Sequence, residues 1–217
     1  MSCTREEIVN EGKKYIGVNE ANETFKVIVD GYNEIKPLPR GYRLRYSDPW
    51  CAAFISFLAK KCKALDIIPA ECSCGKMLLA GAKMGIYHEG DDYKPMLGDI
   101  IFYDWNDNGR GDCSGYPDHV GLVSRLSATN FTVIEGNKSS MVSTRTLAYN
   151  ARYIRGFILP KYSKSTSIPS KTTDLEKIAK LVIRGDYGNG AERVSRLTRL
   201  GYDAGEVQAM VNRLLAS

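Results

Sequence analysis

Cys51 and His119 are the residues whose types and surroundings point first to chemistry. Cys51 stands in Tyr46-Ser47-Asp48-Pro49-Trp50-Cys51-Ala52-Ala53-Phe54, where a polar loop gives way to an apolar helical pattern. Asp48 reads as a helix N-cap and Pro49 as the first helical residue, where its missing N–H costs nothing. Cys51 then falls in the first turn, whose unpaired N–H groups and dipole favour thiolate over thiol. The same amides can hold the oxyanion of an acyl transfer. The competing reading is a buried core cysteine, a common fate for an apolar-flanked Cys. Cys62, mid-helix between Lys61 and Lys63, is read as structural.

His119 opens His119-Val120-Gly121-Leu122-Val123, a short apolar strand pattern in which residues 119, 121 and 123 share a face. Gly121 beside it leaves space for the ring to meet the helix that carries Cys51. The other histidine, His88, lies in the polar run Tyr87-His88-Glu89-Gly90-Asp91-Asp92 and reads as a solvated loop residue. An imidazole acting as base needs a third group to fix its orientation. Phe131-Thr132-Val133-Ile134-Glu135-Gly136-Asn137 puts Glu135 and Asn137 on one face. Glu135 is the first choice, because a carboxylate stabilises imidazolium as well as fixing the tautomer. Asn137 could share that work or position the other side of the ring. Taken singly, each reads first as an ordinary polar residue at a strand end.

The elements that must position these groups fall into two patterns. Helical spacing covers about 4–16, with Thr4 and Glu7 forming a capping box, then about 22–35, 49–65 and 75–84. From residue 95 the chain turns to short β-branched and aromatic runs at 98–103, 119–125, 131–135 and 152–159, separated by turn formers. Helices first and strands second describe an α+β domain with an antiparallel sheet. Residues 161–173 read as a polar linker. Helical patterns at about 174–184, 191–200 and 204–215 predict a small three-helix bundle. The expected organisation is a catalytic domain over 1–160, the linker 161–173 and a helical module over 174–217.

Four motifs in order, Asp48-Pro49-Trp50-Cys51-Ala52-Ala53-Phe54, Gly98-Asp99-Ile100-Ile101-Phe102, Pro117-Asp118-His119-Val120-Gly121-Leu122-Val123 and Ile134-Glu135-Gly136-Asn137, carry a resemblance. Together they resemble the CHAP family of cysteine, histidine-dependent amidohydrolases/peptidases, of papain-like fold. The resemblance implies cleavage of a peptidoglycan amide, with Cys51 as nucleophile, His119 as base and then acid, Glu135 orienting it and Asn137 nearby. The C-terminal stretch, with Gly188-Asn189-Gly190-Ala191-Glu192-Arg193 and Gly201-Tyr202-Asp203, is similar to the choline-independent cell-wall-binding (CW) repeat. Tyr187 stands where that repeat usually has tryptophan. The similarity implies a wall-binding surface from Tyr187, Asn189, Arg193 and Arg196, an aromatic plate with guanidinium groups for muropeptide carboxylates. A plain three-helix cap with solvated arginines is the alternative.

No cofactor is required by this chemistry. Asp104-Trp105-Asn106-Asp107-Asn108-Gly109-Arg110-Gly111-Asp112 matches the opening of a calcium loop, with oxygens at Asp104, Asn106, Asn108 and Asp112. The stretch is also an ordinary turn, and Gly115 in place of the closing glutamate excludes an EF-hand. Cys72 and Cys74 have the wrong spacing for a zinc knuckle.

Composition narrows the classes further. The net charge of +5 is small, and its excess sits mainly on Lys161, Lys164 and Lys171 in the linker rather than on a folded face. That disfavours nucleic-acid binding. No apolar run approaches the ~20 residues of a membrane span, and the N-terminus lacks a signal-peptide pattern. The expected partner is bacterial peptidoglycan, with no nucleic acid and no membrane, and the oligomeric state is open. Synthesis in the cytoplasm with action on the wall after release, as in a phage endolysin, is the leading expectation. A non-catalytic wall-binding protein and a cytosolic cysteine protease are the alternatives.

Overall fold

A capping box starts the chain's first helix: the Thr4 hydroxyl accepts from the Glu7 N–H at 3.2 Å while Glu7 accepts from the Thr4 N–H at 2.8 Å. In the computed structural model, residues 3–107, 115–163, 171–199 and 202–216 are described. They divide into two compact units, Met1–Lys164 and Ser165–Ser217.

The first unit has four helices, α1 (Arg5–Lys13), α2 (Lys26–Asn33), α3 (Cys51–Lys61) and α4 (Cys74–Lys83). Six strands follow: β1 (Tyr87–Glu89), β2 (Ile100–Tyr103), β3 (His119–Leu126), β4 (Asn130–Glu135), β5 (Ser143–Ala148) and β6 (Ile154–Ile158). They form one antiparallel sheet in the order β1-β6-β2-β3-β4-β5. The class is therefore α+β, as expected.

Alternation along the strands divides the core into two layers. Ile100, Phe102, Val120, Leu122 and Ile134 face the helices and pack with Ile28, Trp50, Phe54, Ile55 and Leu58. Ile101, Tyr103, Val123, Phe131, Val133 and Phe157 form a second cluster on the opposite face. α3 is apolar all round, with every residue from Cys51 to Ala59 buried, which is the pattern of a helix enclosed on all sides. Its first residue thereby becomes a fixed point of the core.

The two strands that the apolar pattern does not reveal are β1 and β5, the two edges of the sheet. β5 reads Ser-Thr-Arg-Thr-Leu-Ala and alternates between half-buried and exposed positions. An edge strand that leaves one face to solvent carries little apolar signal. His88 belongs to β1 rather than to a loop, and its Nε2 lies 2.9 Å from Asp92 Oδ1.

The second unit contains α5 (Lys171–Ile183), α6 (Gly190–Arg199) and α7 (Ala204–Leu215). Ile178, Ala179, Val182, Leu197, Val207, Met210 and Val211 form its core. Asp203 caps α7 by accepting from the Glu206 N–H at 2.9 Å. α5 begins at Lys171, inside the stretch expected to be linker; of that linker, residues 164–170 lie outside the described residues.

Candidate active site

Cys51 is the first residue of α3, and Trp50 occupies the N-cap position without a side-chain cap. Asp48 does not cap the helix; its Oδ2 accepts from the Tyr42 hydroxyl at 2.8 Å and the Arg45 N–H at 2.9 Å, closing the preceding turn. Cys51 still lies in the first turn, where the amides have no helical acceptor. Its sulfur is buried, 3.4 Å from the Cys74 sulfur at the first residue of α4. Both thiols line a cavity of about 360 Å³ bordered also by Asp48, Ser73 and Asp118.

His119 is the first residue of β3, paired with Tyr103 of β2. Its Nε2 lies 3.3 Å from Oε2 of the fully buried Glu135. The thiol of Cys51 and the imidazole of His119 shift one another's titration, the thiol down and the imidazole up. Cys51 is held well below the ordinary thiol range, first by the hydrogen bond from Cys74, against the opposing effect of burial, and then by His119. For His119, burial alone disfavours the charged form, but bonding to Cys51 and Glu135 outweighs it and pushes the imidazole up to about 9. Cys74 moves the other way: donation to Cys51 raises its thiol well above the usual value, and burial adds to this. Both shifts favour a thiolate at Cys51 and an imidazolium at His119.

Glu135 closes the far side. Its Oε1 accepts from the Tyr103 hydroxyl at 2.8 Å and from Arg145 Nε at 2.7 Å. Burial would raise its carboxyl, yet bonding to His119 and Arg145 keeps it below the ordinary carboxylate range. Gly121 is what gives this carboxylate its place. A Cβ there would lie 2.4 Å from Val133 Cγ1 and 2.9 Å from Glu135 Cγ. The glycine thus makes room for Glu135, not for the imidazole as its position next to His119 in sequence implied.

Asn137 lines a second cavity, of about 470 Å³, with His119, Trp105, Lys138, Ser139 and Arg145. With the amide turned so that both ends find partners, its oxygen accepts from the Trp50 backbone N–H and its nitrogen donates to Glu20 Oε1, each at 3.3 Å. Glu20 Oε1 also accepts from the Trp50 indole at 2.9 Å. Asn137 therefore fixes the backbone just ahead of Cys51, while the orienting contact to the imidazole comes from Glu135.

Sequence reasoning missed four contributors. Tyr103 and Trp105 stack with ring centres 4.8 Å apart, and Tyr103 stacks on His119 at 5.9 Å. The Arg145 guanidinium sits 4.9 Å over Trp105 and binds Glu135. Cys74 touches the Cys51 sulfur itself. Tyr103 ends a strand that was recognised, so its partner across β3 was the available signal. Arg145 had none, since it lies on an edge strand.

Of the four calcium candidates, Asn108 and Asp112 lie outside the described residues. Asp104 is buried and accepts from the Asn106 N–H at 2.9 Å, the geometry of a side-chain-closed turn. Among the described residues, no group of three or more His, Cys, Asp or Glu is arranged to hold a metal.

In the second unit, Arg193 donates from Nε to the Gly188 carbonyl at 3.2 Å, from one terminal nitrogen to Gln208 Oε1 at 2.9 Å and from the other to Asn189 Oδ1 at 2.9 Å. Arg196 bonds Glu192 and, at 3.4 Å, the Asp186 carbonyl. Tyr187 is half-buried against the bundle core. Two of the four expected wall-binding residues are thus joined to each other, and Arg193 is committed to holding the turn before α6 against α7.

With this geometry in place, comparison with known proteins gives a consistent assignment. Residues 41–137 match the CHAP domain and residues 176–215 match the CW_7 repeat. Cys51, His119, Glu135 and Asn137 all lie within the segment that matches the CHAP domain, a family of cysteine peptidases and amidases. Among solved structures the chain is similar to an NlpC/P60 family protein from Bacillus cereus ATCC 10987, at 13% identity and TM-score 0.41, covering 73% of this chain and 41% of that one. It is also similar to Ly7917, at 13% identity and TM-score 0.42, covering 72% of this chain and 62% of that one. The chain thus spans less than two thirds of either. No curated protein matches it. Among the described residues no helix is long and apolar enough to cross a membrane.

Proposed function

We propose that this protein is a peptidoglycan hydrolase that cleaves a wall amide with Cys51 as nucleophile. The observation that carries the reading is a cysteine at the first residue of a helix, its thiol drawn towards the thiolate by Cys74 and His119, with the His119 Nε2 at 3.3 Å from a buried carboxylate. In this reaction the Cys51 sulfur attacks the amide carbonyl, and the backbone N–H groups of the first turn of α3 receive the oxyanion. His119 gives its proton to the departing amine, leaving an acyl-thioester. It then takes a proton from water, which attacks the thioester and frees Cys51. Glu135 holds the ring in one orientation and stabilises its charged form throughout.

The cleaved bond is the N-acetylmuramoyl-L-alanine amide or a bond of the stem or cross-bridge peptide. The CW_7 repeat supports wall anchoring, which raises the concentration of substrate at the CHAP domain. Together they favour an endolysin, made in the cytoplasm and acting on the wall after release.

The test is Cys51→Ala. Loss of clearance of purified sacculi with retained pull-down on them supports the enzyme, and unchanged clearance overturns it. Mass spectrometry of the digest then assigns the bond. New N-terminal alanine on intact stems means amidase, and truncated stems mean endopeptidase.

A further inference from the structure

The second thiol at the site donates to Cys51 but forms no bond to substrate in the proposed hydrolysis. Cys74 Sγ lies 3.4 Å from Cys51 Sγ, and the two residues are the first of α3 and α4. Both sulfurs line the same cavity, so a small oxidant entering it reaches them together. A disulfide needs a sulfur separation of ~2.05 Å, so only somewhat more than 1 Å remains to be closed. The other thiols among the described residues are placed differently. Cys72 lines the same cavity but accepts from Arg40 at 3.6 Å, and Cys3 bonds with Cys62 away from the site.

We propose that Cys74 is a resolving thiol for Cys51, so that a hydroperoxide converts the pair into a reversible disulfide instead of destroying the nucleophile. The Cys51 thiolate attacks one peroxide oxygen, an S–O bond forms and the O–O bond breaks, and the departing hydroxide takes up a proton as water. Cys74 then attacks the Cys51 sulfur of this sulfenic acid. The S–S bond forms, the S–O bond breaks, and the Cys74 proton leaves with the hydroxyl as a second water. Two thiols lose two electrons in all and the peroxide gains them. A dithiol reductant reverses the link, whereas further oxidation to sulfinic acid is irreversible. The cross-link itself stands on the sulfur geometry; only its effect on activity rests on the hydrolase reading.

The experiment treats the full chain with hydrogen peroxide, blocks free thiols and maps tryptic peptides without reduction. The expected product joins Tyr46–Lys60 to Ala64–Lys76 with the loss of two hydrogens, fragment ions placing the link at Cys74 rather than Cys72. Clearance of sacculi is lost on treatment and returns to the untreated rate with dithiothreitol. In Cys74→Ser, and in Cys74→Ala as a second variant, the link is absent, Cys51 gains two or three oxygens, and dithiothreitol restores nothing relative to each variant's own untreated rate. Cys62→Ser keeps both the link and the recovery. Sulfinic acid at Cys51 of the unaltered chain without a cross-link, or a link chiefly to another cysteine, overturns the proposal. A Cys51–Cys74 link in a protein that never clears sacculi upholds the thiol pair and overturns the hydrolase reading alone.

Discussion

Arg145 and His119 bind opposite oxygens of the same buried carboxylate: Arg145 Nε lies 2.7 Å from Glu135 Oε1, and His119 Nε2 lies 3.3 Å from Oε2. Glu135 is fully buried, so its charge depends on both cations and on the Tyr103 hydroxyl. Removing one partner of a buried pair leaves a charge without compensation. Arg145→Ala should therefore destabilise the fold by about 2–4 kcal/mol, discounted from the fully buried case because the arginine is partly exposed. Denaturant unfolding measures this. A variant as stable as the parent would mean that Tyr103 and His119 hold the carboxylate without help.

The titration of His119 sets a pH window. The proposed hydrolysis uses the imidazolium, whose proton leaves at about 9, so the rate should fall as pH rises through that value. The stability sign is the same. The folded group titrates above its ordinary 6.5, so its contribution is complete below 6.5, shrinks between 6.5 and about 9, and is gone above. In Cys51→Ala the thiolate that helps raise the ring is absent, and His119 should titrate lower. Imidazole NMR across the pH range tests this, and an unmoved midpoint would remove the thiolate from the account.

Iodoacetamide at limiting dose should label Cys51 before any other cysteine, because it carries thiolate character and opens on a cavity. Cys62, Cys72 and Cys74 are all pushed up, by donation to a neighbouring thiol at Cys62 and Cys74 and by burial at Cys72. Cys3 is lowered through its bond with Cys62, but its sulfur is packed in the core. Peptide mapping of the first carbamidomethyl group decides the order. First labelling at Cys3 would show that thiolate character matters here more than access.

How much of this was legible in sequence depends on how far each contact lies from its own element. Thr4 and Glu7 satisfy each other within one turn, and the motif foretold their geometry. Cys51, His119 and Glu135 each stand at the end of an element with a strong apolar pattern, so their meeting follows from the packing of α3 on the sheet. The N-cap role assigned to Asp48 failed because Tyr42 and Arg45 offered its carboxylate a tighter local turn. Arg145 and Cys74 escaped notice for another reason. One lies on a polar edge strand, the other after an irregular loop, and only tertiary packing brings either to Glu135 or Cys51.

Gly121 offers a separation of site geometry from general stability. An added methyl would meet Val133 at 2.4 Å and Glu135 at 2.9 Å, both fully buried. Gly121→Ala should cost about 1–3 kcal/mol by overpacking. Activity measured well below the melting temperature should fall further than the unfolded fraction explains, because Glu135 is displaced from His119. Equal losses in folded fraction and in rate would reduce Gly121 to a packing residue.

Arg193 supplies the corresponding test in the C-terminal unit. Its three hydrogen bonds, to Gly188, Asn189 and Gln208, tie the turn before α6 to α7 in a bundle with few core residues. Small domains of this size have little stability to spare. Arg193→Ala should lower the unit's stability by about 1–2 kcal/mol, from hydrogen bonds lost, and weaken sacculus pull-down chiefly through unfolding. Pull-down and circular dichroism of the variant at graded temperatures should then decline together. Weakened pull-down at a temperature where the bundle is fully folded would instead place the guanidinium on the wall-binding surface itself.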